Sequence, residues 1–307
     1  MQPDKFTYTI QYQDVDEQRR LRLYTLENYL LNSAGLSADL HGFGVKYLHP
    51  QHLTWVLTNL SLLIHALPAP GDEMVVETWV QEHIHTLSIR NFRIYINGTL
   101  QGEARSVWAV LNTDDRTIQN VFHLPAFQLD QPGEALDIPR PARHIPITHP
   151  DLETTYRIAY SDIDYNGHCN SCKYLEHLLN LYAPIGSIDA SGDAGALARG
   201  NTGDAGALAR GNAGDAGALA RGNAGDAGAL ARCNEYCYNG THTLRLDLRY
   251  AREVYKNDQV RIIYAKQQNP TLDNTTSPDN TTSPTLHCYD IYTPTGELSC
   301  SAIISTI

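Results

Sequence analysis

Apolar positions recur along this chain in two rhythms. Leu23, Leu26, Leu30 and Ala34 have the spacing of one buried helical stripe, and Leu175, Leu178, Leu179 and Tyr182 repeat it late in the chain. Elsewhere the period is two: Val56, Thr58, Leu60, Leu62 and Ile64, then Met74 to Val80, Arg90 to Ile96 and Ala104 to Leu111, with matching runs at 244–250, 259–265, 286–292 and 298–306. Gly71-Asp72, Asn97-Gly98 and Pro294-Thr295-Gly296 supply turns between them. A long helix followed by antiparallel strands, written twice, predicts an α+β architecture in which each sheet wraps its helix.

The two halves also align residue by residue. Laying 13–20 over 161–168 superposes, without a gap, Leu26 on Tyr174, Leu30 on Leu178, Leu31 on Leu179 and Asn32 on Asn180. Further on, Leu60, Leu62, Ile64 and Gly71-Asp72 fall on Leu246, Leu248, Tyr250 and Asn257-Asp258. Later still, Tyr95 falls on Tyr289 and Gly102-Glu103 on Gly296-Glu297. The pattern predicts one domain made twice: a first at 1–130, a proline-rich linker at 131–150 and a second at 151–307.

Composition changes the picture in two places. Half of the 22 glycines fall between Gly192 and Gly228, where a unit Gly-Asp-Ala-Gly-Ala-Leu-Ala-Arg-Gly-Asn-Ala/Thr is repeated from Gly192 to Arg232. One leucine per unit cannot build a stacked core, so 192–232 reads as a flexible insertion. Asp-Asn-Thr-Thr-Ser-Pro, at 273–278 and again at 279–284, reads as a lengthened hairpin loop. With 307 residues and 42% apolar content, the remainder can bury a substantial core.

A net charge of −11 argues against non-specific binding to nucleic acid or an anionic membrane. No apolar run approaches the roughly 20 residues of a membrane span, and Met-Gln-Pro-Asp-Lys-Phe has no signal core, so a cytoplasmic location is expected. The six cysteines (169, 172, 233, 237, 288 and 300) then read as reduced thiols. Cys169 with Cys172 and Cys233 with Cys237 could form a zinc module, but about 60 residues and the repeat separate the pairs, and no metal or cofactor is expected.

Chemistry should show where one copy carries reactive groups and the other does not. The second copy has Asn166 and His168 where the first has Gln18 and Arg20, and Glu253 where the first has Leu67. Asp164, Asn166 and His168 alternate on a segment read as extended, just before a helix, so all three can face one cleft. The bland alternative makes Asp164 and Asn166 helix caps and His168 a surface residue. Strict alternation from Leu248 and Tyr250 would turn Glu253 to the wrong face, so the strand must end or bulge near Arg252.

These residues resemble those of a family. Asp162-Ile163-Asp164-Tyr165-Asn166-Gly167-His168-Cys169-Asn170, followed by Lys173-Tyr174, is similar to the Asp-Leu-Asp-X-Asn-X-His-X-Asn-Asn-X-Lys-Tyr signature of the fatty acyl-acyl carrier protein thioesterases of plant plastids and bacteria. Leu248-Arg249-Tyr250-Ala251-Arg252-Glu253 resembles that family's Leu-Glu-Tyr-Arg-Arg-Glu-Cys, and Ala104 to Asn112 with Thr117 resembles a stretch of its first half. The resemblance implies a double hotdog fold and hydrolysis of the acyl-carrier thioester, terminating fatty acid synthesis in a bacterial cytoplasm. The acyl tail would lie in the first half.

On this reading Glu253, sharing the task with His168, activates water. Asn166 and a backbone N–H near Gly167 hold the carbonyl, and Asp164 orients His168 or Asn166. Val254 stands where the family has a cysteine, so a thiolate nucleophile is excluded there, and Cys169 and Cys172 read as small core residues. An acidic carrier protein would need clustered cations on this chain, with Arg19, Arg20 and Arg22, or Arg245, Arg249 and Arg252, as candidates. A homodimer is compatible with this reading. Alternatives are an acyl-coenzyme A thioesterase, a hotdog enoyl hydratase, for which Gly167 is the wrong residue after the Asn, and a lipid-binding protein without activity.

Overall fold

In the computed structural model, residues 2–123, 133–183, 243–268 and 285–307 are described. The repeat at 192–232, the duplicated loop at 273–284, Cys233 and Cys237 lie outside them. The first half runs β1 (Asp4–Thr9), α1 (Leu23–Leu40), α2 (Val45–Leu48), β2 (Leu53–Ile64), β3 (Glu73–Ile84), β4 (Leu87–Ile96), β5 (Thr99–Asn112) and β6 (Ile118–Gln119). The second runs β7 (Leu152–Arg157), α3 (Ser171–Leu181), β8 (Leu244–Tyr250), β9 (Gln259–Gln268), β10 (Thr285–Tyr292) and β11 (Leu298–Thr306). Each predicted strand is present. β1 and β7, which the apolar rhythm did not reveal, are short and polar, and they form the two outer edges of the sheet.

All strands join one antiparallel sheet in the order β1-β3-β4-β5-β2-β8-β11-β10-β9-β7, with β6 beside β5. The halves meet where β2 pairs with β8: Leu60 lies opposite Leu248, Ser61 opposite Asp247 and Leu62 opposite Leu246. Ser61 falls on Asp247 in the sequence repeat, so the pseudo-two-fold axis passes through this pair, whose buried side chains share a hydrogen bond of 2.7 Å from Ser61 Oγ to Asp247 Oδ1.

The repeat extends to single bonds. Asp14 Oδ2 accepts from the Gln11 N–H at 2.9 Å, and Asp162 Oδ2 accepts from the Ala159 N–H at 2.7 Å. Val15 bridges to Leu21 as Ile163 does to Cys169.

Leu23, Leu26 and Leu30 of α1, Leu175 and Leu178 of α3, Leu60 and Leu62 of β2, and the leucines of β8 belong to one buried cluster that crosses the junction. The architecture is the expected double hotdog. One detail differs: Leu179 and Tyr182 are half-buried, while Cys172, Tyr174 and His177 join Leu175 and Leu178 on the covered face. The helix ends at Leu181, so Tyr182 leaves its stripe. Among the described residues no helix is long and apolar enough to cross a membrane.

Candidate active site

A cavity of about 860 Å³ runs along α1 and reaches both halves. Leu31, Ala34, Gly35 and Ala38 form its helical wall, β2, β4 and β5 its floor, and Asp164 to Asn166 and His168 to Cys172 with Arg252, Glu253 and Tyr255 its border with the second half. Small residues keep it open, since a methyl group added to Gly35 would meet nothing within 4 Å. In the second half Tyr182 stands at the position of Ala34 and stacks on Tyr264 and His287, with ring centroids 4.5 and 5.7 Å apart.

Asp164, Asn166 and His168 all line this cavity, but not on an extended segment. They sit in a tight turn closed by the Ile163–Cys169 bridge and by the Asp164 N–H donating to the His168 carbonyl at 2.9 Å. Asp164 Oδ1 accepts the backbone N–H of Asn166 at 2.8 Å and of His168 at 3.4 Å, so it braces the turn rather than touching either side chain. Gly167 makes the turn feasible with φ of +81°. Its N–H already donates to the Asp164 carbonyl at 3.0 Å, which removes it from the expected role on a substrate carbonyl. Neither Asp164 nor Asn166 caps α3; Asn170 does, accepting from the Cys172 N–H at 3.0 Å.

Glu253 arrives from the other side. β8 ends at Tyr250, and the N–H groups of Ala251 and Arg252 both donate to the Ser299 carbonyl, at 2.8 and 3.1 Å. Two residues against one acceptor is the irregularity that the sequence required, and it turns Glu253 toward the cavity. Glu253 Oε1 lies 3.5 Å from His168 Nδ1. Its other oxygen is paired with the Arg116 guanidinium and accepts from the Tyr255 hydroxyl at 3.4 Å. The Tyr255 ring meets the His168 ring edge-on at 5.0 Å.

Burial, followed by the Arg116 charge, lowers the His168 pKa below the usual 6.5, with Asp164 pulling the other way. The imidazole is therefore neutral at pH 7, able to accept a proton. Thr54 Oγ1 donates to Asn166 Oδ1 at 3.3 Å, which leaves the amide NH₂ as the end that can donate to an incoming carbonyl.

Arg116, Thr54 and Tyr255 were not found by sequence reasoning. Arg116 sits at φ of +62° in the turn after β5, held by Asn112 and Asp115 side chains that accept the Asp114 and Thr117 N–H groups at 2.8 and 2.9 Å. Those turn residues were visible in the sequence, but not where the turn would lie. In the first copy Asp16, the counterpart of Asp164, is paired with Arg20 at 3.0 Å. That pairing also ties up one candidate docking cation, as Asp247 does Arg245 and Glu297 does Arg252, each at 2.7 Å. Burial pushes the thiols of Cys169 and Cys172 well up, as suits small core residues.

Residues 4–123 match the family described as the acyl-ACP thioesterase N-terminal domain. Over this stretch the chain is similar to the acyl-ACP thioesterases. A chloroplastic palmitoyl-acyl carrier protein thioesterase of Arabidopsis thaliana is 25% identical over 198 residues, covering 59% of this chain and 47% of that protein. The chain spans about half the length of the curated thioesterases it matches. Two solved thioesterases share the fold over 99% of this chain, each with a TM-score of 0.68. An acyl-ACP thioesterase from Bacteroides thetaiotaomicron is 24% identical and 98% covered, and a 12:0-ACP thioesterase from Umbellularia californica is 13% identical and 94% covered.

Proposed function

We propose that the protein hydrolyses the thioester of fatty acyl chains borne by acyl carrier protein, releasing free fatty acid and ending fatty acid synthesis in a bacterial cytoplasm. The observation that carries this reading is the approach of Glu253 to His168, 3.5 Å apart, beside Asn166 at the border of a cavity with room for an acyl chain.

A thioester breaks readily, because its leaving thiol has a pKa near ~8.5 and departs as the thiolate without obligatory protonation. What the site must supply is an activated water and a donor to the oxyanion. Glu253 takes the proton from water, shared with the neutral His168. The Asn166 amide holds the carbonyl, Thr54 fixes that amide, and Asp164 keeps the turn in shape. The first half, at 1–130, receives the tail between α1 and β2, β4 and β5, while the second, at 151–307, supplies these groups.

Glu253→Gln and His168→Ala should each lower kcat by roughly 10²–10⁴ while leaving the fold intact. Hydrolysis of acyl-carrier, acyl-coenzyme A and enoyl-carrier substrates, measured in parallel on wild type and both variants, is the test. Near wild-type rates in both variants would overturn the residue assignment, and faster turnover of coenzyme A esters or hydration of the enoyl chain would move the protein to those activities.

A further inference from the structure

The cavity's wall farthest from the second half has an unexpected composition. β4 is the strand most remote from β8 that reaches the cavity, and among the described residues it contributes Ser88 and Arg90. Both are buried, Arg90 to 4% exposure. Arg90 Nη1 donates to Ser37 Oγ of α1 at 2.9 Å and to Thr78 Oγ1 of β3 at 3.1 Å. Ser37 Oγ in turn donates to Asp4 Oδ2 at 2.7 Å, so the balancing carboxylate is one hydroxyl removed from the cation.

A guanidinium has five N–H groups. Among the described residues its hydrogen bonds use Nη1, which leaves the Nε and Nη2 donors of a residue that lines the cavity. A methyl terminus pressed against these donors would displace their water and return no acceptor, an unfavourable exchange for a buried cation. A hydroxyl or carbonyl oxygen at the same place would accept from them.

We propose that Arg90 reads the far end of the acyl chain: chains long enough to reach it carry an oxygen near that end, and plain chains are accepted when they stop short. This deepens the thioesterase reading and rests on it. A purely structural Arg90 would tie α1 to β3 and have no bearing on the tail.

The test measures kcat/KM of the full-length protein on two series of acyl-carrier thioesters matched in length, plain and ω-hydroxylated. Wild type should prefer the hydroxylated chain by about tenfold or more at the lengths that reach Arg90, and show no preference at shorter ones. Arg90→Met should abolish or invert that preference, and Arg90→Lys, which keeps a donor, should retain part of it. Thr78→Val removes an anchoring bond outside the cavity, so it should lower Tm and leave the preference unchanged. Equal rates for both series in wild type at every length, or an Arg90→Met ratio like that of wild type, would overturn the tail assignment while short plain chains still turned over. No turnover of any thioester would overturn the hydrolase reading and the tail assignment with it.

Discussion

His168 sits between opposing charges, and its titration is where the proposed chemistry can be read residue by residue. Burial and Arg116 hold its pKa below 6.5, and Asp164 opposes them. If the neutral ring assists water activation, kcat/KM falls as pH drops through that lowered value. Arg116→Gln removes one lowering influence and should move the acid limb to higher pH. Asp164→Asn removes the raising one and should move it lower. A pH profile of kcat/KM for the three proteins checks both directions, and a limb that stays put in both variants would assign the protonation to another group.

Glu253, His168 and Asn166 were legible in the sequence because two copies of one fold could be compared, and reactive side chains stood in one copy against Leu67, Arg20 and Gln18 in the other; Asp164, which Asp16 matches, was read only from its alternation with Asn166 and His168. Their partners were not. Arg116 meets Glu253 and Thr54 meets Asn166 across the boundary between halves, and such contacts leave no periodic trace.

The elements followed the apolar rhythm wherever one face was buried. They departed from it where a side chain took over the backbone, as at 164–168: an alternating polar run looks extended until the Asp164 carboxylate gathers two N–H groups and bends it into a turn. Glu27 is a second departure. It lies on the buried face of α1, where the second copy has Leu175, and accepts a 2.6 Å hydrogen bond from the Tyr250 hydroxyl at the end of β8. It thus ties the first half's helix to the second half's strand. Burial raises its pKa from an ordinary 4.5 to about 7, against the lowering effect of the Tyr250 bond.

Between those values the folded protein keeps a proton that the unfolded chain has released. Stability therefore falls as pH rises through the interval, by about 3 kcal/mol, and levels off above about 7. Glu27→Gln keeps the carbonyl that accepts from Tyr250 and loses the titration. Denaturant unfolding at pH 5 and pH 8 should show little change at the lower pH and a more stable variant at the higher. Equal losses for wild type and variant between the two pH values would refute this.

At the scale of the whole molecule, the halves share both a sheet and a core, and Ser61 and Asp247 mark the join. Asp247 accepts from Ser61 at 2.7 Å and from Arg245 at 2.7 Å while buried. Ser61→Ala would leave that carboxylate short of a donor and should cost about 1–3 kcal/mol. The loss should be felt in both halves together, as one shifted transition by far- and near-UV circular dichroism; two separated transitions would show that the halves unfold independently.

Ala34 and Tyr182, at equivalent points of the two helices, differ in what they leave: a cavity beside Ala34, and stacked rings at Tyr182. The proposed proton chemistry borders the hollow from the opposite lobe. A duplicated fold arranged in this way can change which guest it admits through its first copy, while the second goes on breaking the same bond.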